Sequence, residues 1–210
     1  QYIRKSRVDG GNMNREELLK NAKLILFNTQ MVQAILEGRK TVTRRKIDRD
    51  ITNFCDVDVD GTLLNYQNCD GDFINPVDIC RYKVGDILYV REKFNNTETD
   101  TILYAADKDF INYGCKKVDG YLFMESEVKW KPSIHMPKAA ARILLKVTDV
   151  RVEKLWEMTQ EDCINEGCGE LSEEQFGQIW NSTIKKKDLD IYGWKSNPWV
   201  WVIEFERVEV

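Results

Sequence analysis

Residues 39–45 bring together the side chains most capable of chemistry in this sequence. The segment carries four basic side chains and two threonine hydroxyls, from Arg39, Lys40, Thr41, Thr43, Arg44 and Arg45. A threonine hydroxyl is a poor nucleophile at neutral pH, and it needs a neighbouring base, or a lysine whose charge is suppressed by burial, before it can attack an amide. The same cations suit the phosphates of a nucleic acid. The segment is therefore a candidate site for nucleophilic chemistry or for phosphate binding.

Each of these residues also has a structural interpretation. Lys40 follows a predicted helix, where a cation commonly offsets the carbonyl groups at the helix end. Thr43 is β-branched and suits a strand. Because positions 40 and 43 differ by an odd number, their side chains would point to opposite faces of a regular strand. A bulge or turn is needed if both are to reach one site.

Two other places in the chain could contribute to a binding site. Arg91 and Glu92 follow a predicted strand and could bind a phosphate or supply a carboxylate, although a salt bridge at the end of the strand is the favoured interpretation. Trp130 lies between Lys129 and Lys131, a combination that stacks on bases while holding phosphates. The remaining tryptophans at strand or helix spacing, Trp180, Trp199 and Trp201, are predicted to fill the core.

Composition excludes several classes of function. His135 is the only histidine, and the six cysteines form no CxxC pair, so we expect neither a metal site nor a cofactor. A net charge of −4 and a pI near 5.3 argue against a surface covered with phosphate-binding cations. Any contact with nucleic acid must come from a local patch.

Length and hydropathy indicate one soluble domain. Residues 1–12 are polar and contain two glycines, so we expect a disordered tail or a vector-derived remnant, followed by a single domain at 13–210. No apolar run approaches the roughly 20 residues that span a bilayer, and we expect a cytoplasmic location without membrane contact.

Predicted elements place the candidate residues. A strand at 24–27 precedes a helix that begins after Asn28 and stops at Gly38. Further strands are predicted at 87–90, 143–147 and 199–205, and two late helices begin after Thr159 and Ser172. Two polar segments, at about 47–83 and 95–127, read as long insertions, the first with hairpin turns at Asp60-Gly61 and Asp70-Gly71. The mixture of predicted helices and strands along the chain indicates an α+β fold.

Several stretches resemble the ASCH family in the order in which that family carries them. Residues 35–44 form a helix followed by Gly-Arg-Lys-Thr, and residues 84–92 form a Gly-Asp turn that leads into a strand. Residues 130–137, the strand that ends at Val152, residues 158–162 and residues 199–208 resemble the longer, phage-associated members. The stretches cover less than half of the chain. The resemblance implies a small PUA-like β-barrel flanked by helices, related to RNA-binding PUA domains and interrupted here by the two insertions.

The resemblance also implies an activity. Some small ASCH proteins remove the acetyl group from N4-acetylcytidine with a Lys, a Thr and a Glu, and their pattern falls on Lys40, Thr43 and Glu166. The implied roles are Thr43 as nucleophile, Lys40 as its activator and Glu166 as proton shuttle, with a nucleoside or RNA as partner. Beside these three, the residue types make Arg39, Thr41, Arg44, Arg45, Arg91, Glu92 and Trp130 the candidate ligand-binding residues.

Two other functions stay open at this stage. The chain could be a binding module that recognises RNA or a modified base without chemistry, or an interaction protein without a nucleotide ligand. Glu166 could equally be a surface residue at a helix end. The sequence does not indicate the oligomeric state.

Overall fold

A computed structural model describes residues 14–47, 55–57, 63–67, 73–97, 101–169 and 172–209. Helices and strands are mixed along these residues, which confirms the α+β class. The helices are α1 (Arg15–Asn21), α2 (Thr29–Leu36), α3 (Pro76–Ile79), α4 (Lys108–Tyr113), α5 (Gln160–Asn165), α6 (Glu173–Thr183) and α7 (Leu189–Tyr192). The strands are β1 (Lys23–Leu26), β2 (Val42–Lys46), β3 (Cys55–Val57), β4 (Leu63–Gln67), β5 (Phe73–Ile74), β6 (Ile87–Arg91), β7 (Phe94–Asn96), β8 (Ile102–Tyr104), β9 (Cys115–Val118), β10 (Tyr121–Met124), β11 (Leu144–Lys154) and β12 (Trp199–Val208).

The main sheet has five strands in the order β1-β6-β11-β12-β2. The first pair is parallel and the others are antiparallel, so the sheet is mixed. Its edge strands, β1 and β2, approach each other, since the guanidinium of Arg45 on β2 donates to the carbonyl oxygen of Leu26 on β1 at 3.1 Å. No strand pairing joins these two edges within the described residues, and the closed barrel is therefore not confirmed.

Strand β12 is an interior strand of the sheet, between β11 and β2, and is buried on both faces. Ile203 and Phe205 belong to the core on the α2 side, which includes Ile25, Val32 and Leu88. Val200 and Val202 pack with Phe176 and Trp180 of α6 in a second core. The predicted core positions of Trp180 and Trp199 are confirmed, and Trp201 is partly buried against the same core.

The two predicted insertions carry their own secondary structure. In the first, β3, β4 and β5 form a three-stranded antiparallel sheet. The hairpin turns predicted at Asp60-Gly61 and Asp70-Gly71 lie outside the described residues. The second contains β8, α4 and the antiparallel β9–β10 hairpin.

None of the helices in the described ranges is both long enough and apolar enough to cross a membrane.

Candidate functional site

The turn after α2 brings Lys40 to the site. Asn28 caps the start of α2 by accepting a hydrogen bond from the Met31 amide at 2.8 Å. Past the other end of the helix, Gly38 adopts a φ of 74°, a left-handed conformation that glycine tolerates best. The Lys40 amide then donates back to the carbonyl oxygen of Ala34 at 3.1 Å, so its side chain leaves the turn at a fixed position.

Glu166 comes to the site from the end of helix α5, which is distant from α2 in the sequence. Thr159 and Asp162 form the predicted capping box at its start, and Glu166 is the residue that closes it. Lys40 and Glu166 pair as an isolated antiparallel bridge, and the Thr41 amide donates to the Asn165 carbonyl oxygen at 2.8 Å. Backbone hydrogen bonds therefore fix the end of α5 to the segment that leads into β2.

The Lys40 ammonium is buried and its hydrogen bonds are all satisfied. Its Nζ lies 2.6 Å from Oε2 of Glu166, 2.9 Å from the carbonyl oxygen of Glu166 and 2.7 Å from that of Val42. Three acceptors match the three protons of an ammonium group. Burial lowers the pKa of Lys40, and the negative charge of Glu166 opposes that shift.

Glu166 binds two cations at once. While Oε2 accepts from Lys40, Oε1 accepts from the Arg44 amide at 2.7 Å and lies 3.5 Å from its Nη1 atom. The Arg44 guanidinium, also buried, has two further carboxylates, Glu153 and Asp162, each at 3.3 Å. Its Nε atom has no hydrogen-bond partner in the part of the chain that the structure describes. The result is a buried network of alternating charges behind the start of β2.

Thr43 lies in the same pocket as Lys40 and Glu166. The pocket has a volume of about 200 Å³, and its lining also includes Phe27, Cys168 and Trp180. Within the described residues the Thr43 hydroxyl forms no hydrogen bond, so it is available to a ligand. Strand β2 begins only at Val42, and Lys40 lies before it, which is how two positions of odd separation reach one pocket.

A second, larger cleft continues from this pocket. It has a volume of about 400 Å³ and lies along the gap between β1 and β2. The two cavities share the lining residues Leu26, Arg44, Arg45, Trp180 and Thr183. A ligand in the Lys40 pocket can therefore extend into the larger cleft.

Five of the ten residues predicted for the site line this pair of cavities, namely Lys40, Thr43, Arg44, Arg45 and Glu166. Two of the others flank it without lining it. The exposed Arg39 pairs with Glu37 at 2.6 Å. Thr41 is exposed, and its amide and carbonyl oxygen hydrogen-bond to Asn165 and Phe205.

Arg91, Glu92 and Trp130 lie in other surroundings. Glu92 is buried in a bidentate pair with Arg142, at 2.8 and 3.0 Å, and burial raises its pKa while the Arg142 charge opposes the rise. Arg91 donates to the Ile134 carbonyl oxygen rather than pairing with Glu92. Trp130 packs edge-on against Phe110. None of the three lines either cavity.

Sequence reasoning missed the apolar wall of the pocket and an arginine of the larger cleft. Helix α6 presents Phe176 and Trp180, four residues apart, to the pocket, whereas the sequence predicted only a core position for Trp180. Arg81 and Tyr82, from the end of the first insertion, line the larger cleft. No local signal marks them, because the insertion reaches the cleft only in the folded chain.

The described residues contain no group of three or more His, Cys, Asp and Glu side chains placed to hold a metal ion. Comparison of the chain with protein-family models, with curated proteins and with solved structures gives no match in any of the three. Proposals about function therefore depend on the geometry of the cleft and on the ASCH-like motifs.

Proposed function

We propose that the protein is an amidohydrolase that removes the acyl group from the exocyclic amine of a modified nucleobase, of which N4-acetylcytidine is the type. The observation that carries the proposal is the Thr43 hydroxyl, which lines the pocket beside the buried Lys40 and Glu166 and forms no hydrogen bond to any described residue. The apolar side chains of Phe27, Phe176 and Trp180 give the pocket walls suited to a flat base.

The chemistry follows from these residues. The Thr43 hydroxyl oxygen forms a bond to the acyl carbon, and its proton passes to the neutral form of Lys40, which burial favours. The carbon–nitrogen bond then breaks, and the amine leaves with a proton supplied through the Lys40–Glu166 pair. Water hydrolyses the acyl ester on Thr43, which releases the acid and restores the hydroxyl.

The proposal extends to the fold. The mixed sheet, with β1 and β2 facing each other across a cleft, is consistent with an ASCH-type PUA-like barrel that is open at the site. The turn after α2 and the end of α5, which the Lys40–Glu166 bridge joins, then lie together at one side of the opening.

One observation favours a second function, a module that binds a modified base or RNA without chemistry. All three protons of the Lys40 ammonium are engaged by fixed acceptors, and no hydrogen bond joins Lys40 to Thr43. In a pure binding protein this network simply holds the pocket open and positions β2. The two functions share the ligand class and differ in turnover.

Incubation of the protein with N4-acetylcytidine, with release of cytidine followed by chromatography, tests the proposal. Cytidine is expected from the wild type and not from Lys40→Met, while Lys117→Met, at an exposed lysine on β9, should retain full activity. Calorimetry with the same nucleoside measures whether the protein binds it, independently of turnover. Binding without cytidine release by a correctly folded protein would favour the binding module, and absence of both would overturn the ligand class.

A further inference from the structure

Among the described residues that line the larger cleft, every charged side chain is basic. Its lining contains Arg44, Arg45, Lys46 and Arg81, together with apolar residues of β1 and α6. A cavity with charges of a single sign attracts a ligand of the opposite sign. The lining therefore selects an anion.

Two of these cations, Arg45 and Arg81, form no salt bridge with a described carboxylate, unlike Arg44, although the charge of Glu166 acts on Arg45 from within the pocket. Arg45 donates only to backbone carbonyl oxygens, those of Arg44 at 3.3 Å and Leu26 at 3.1 Å. Arg81 is exposed, and its contact within the described residues is with the ring of Tyr82, at 5.8 Å. Both guanidinium groups thus keep N–H donors for a ligand, and guanidinium matches the geometry of a phosphate.

We propose that Arg45 and Arg81 form a phosphate subsite, so that the ligand of the Lys40 pocket is a nucleotide rather than a free nucleoside. The phosphate belongs either to a free nucleoside monophosphate or to a phosphodiester of an RNA strand. The identity of the base rests on the proposed function, whereas the anion subsite rests on the cleft alone. Arg81 belongs to the first insertion, at about 47–83, which gives that insertion a role in ligand selection.

Inorganic pyrophosphate probes the subsite without any base. At about ten times its dissociation constant it should raise the melting temperature of the wild type by about 3 °C, measured against sodium chloride of equal ionic strength. Arg81→Gln removes the charge at an exposed position and should abolish the rise. Arg207→Gln, at an exposed arginine of β12 outside both cavities, should leave it unchanged. An equal rise in wild type and Arg81→Gln would overturn the subsite.

Calorimetry with nucleotides then identifies the source of the phosphate. The wild type should bind N4-acetylcytidine 5′-monophosphate, or a short RNA containing acetylcytidine, about tenfold more tightly than the nucleoside, and Arg81→Gln should lose most of that gain. If only the RNA binds more tightly than the nucleoside, the subsite binds a phosphodiester. If the monophosphate already binds more tightly, the subsite binds a terminal phosphate.

The two proposals fail in different ways. Equal affinity of the wild type for nucleoside, nucleotide and RNA would contradict the phosphate subsite while leaving the base pocket intact. A pyrophosphate effect that depends on Arg81, without affinity for any acetylated ligand, would support the subsite and contradict the proposed base.

Discussion

The Nζ atom of Lys40 lies 2.6 Å from Oε2 of Glu166, although the two residues are 126 positions apart in the chain. Both side chains are almost fully buried, at 1% and 7% exposure. A buried charge that loses its partner is strongly destabilising, whereas the intact pair need not stabilise at all. The network is therefore expected to respond to mutation as one unit.

Double-mutant analysis tests this coupling. Glu166→Gln leaves a buried ammonium without its carboxylate, and we expect a loss of about 3 kcal/mol in the free energy of unfolding. Lys40→Met should cost a similar amount, and the double variant should cost less than the sum by about 1 to 3 kcal/mol, as measured by urea denaturation.

The exposed pair Lys146 and Glu206, 3.5 Å apart, provides the matched control. The cycle of Lys146→Met and Glu206→Gln should show a coupling below about 1 kcal/mol. Strictly additive effects at Lys40 and Glu166 would contradict a shared buried network.

The lowered pKa of Lys40 predicts how stability changes in alkaline solution. Between the folded-state pKa and the ordinary value of 10.5, the unfolded chain binds more protons at Lys40 than the folded chain. The free energy of unfolding contributed by Lys40 should therefore rise with pH across this window. The measurement is the difference in stability between wild type and Lys40→Met as a function of pH. A difference that stays flat or falls would show that the Lys40 pKa is not lowered.

Gly167 controls how closely the end of α5 approaches Lys40. Its φ is 80°, and an added Cβ would lie 2.6 Å from Cβ of Ala34 and 3.1 Å from Cβ of Lys40. Gly169 has a similar φ of 73° and open space around it. Gly169→Ala should cost about 1 kcal/mol from backbone strain alone, and Gly167→Ala clearly more, measured as free energies of unfolding. Equal losses of stability in the two variants would mean that Ala34 and Lys40 move away from the added Cβ at no cost.

Much of the local structure could be predicted because its signals are local. Asn28, Thr159 and Ser172 cap their helices as expected, since a side-chain oxygen at that position satisfies free amides of the first turn. The left-handed turn at Gly38 could be predicted for the same reason, because it depends on the conformation of one glycine after a helix. These elements, with the ASCH-like motifs, were enough to anticipate that Lys40, Thr43 and Glu166 lie in one pocket.

The remaining site residues depend on contacts between distant parts of the chain. Glu92 was a candidate for the site, with a salt bridge as the favoured interpretation, and Arg142, 50 positions later, binds it away from both cavities. Arg81 lines the larger cleft because the end of the first insertion folds back to it, and no sequence pattern predicts where that insertion lies. Arg44 was a candidate phosphate ligand, but three carboxylates that are distant in the sequence bind its buried guanidinium. Hydrophobic periodicity carries no information on such charge pairing.

The most direct test of the central claim compares N4-acetylcytidine turnover by wild type, Thr43→Val and Thr43→Ser. Valine keeps the shape and removes the hydroxyl, so turnover should fall at least about 1,000-fold while affinity changes by no more than the value of one hydrogen bond, about 1 kcal/mol. Thr43→Ser should retain measurable turnover, and Thr148→Val, at an exposed threonine of β11, should match the wild type. A Thr43→Val variant that hydrolyses the substrate at the wild-type rate would contradict the account.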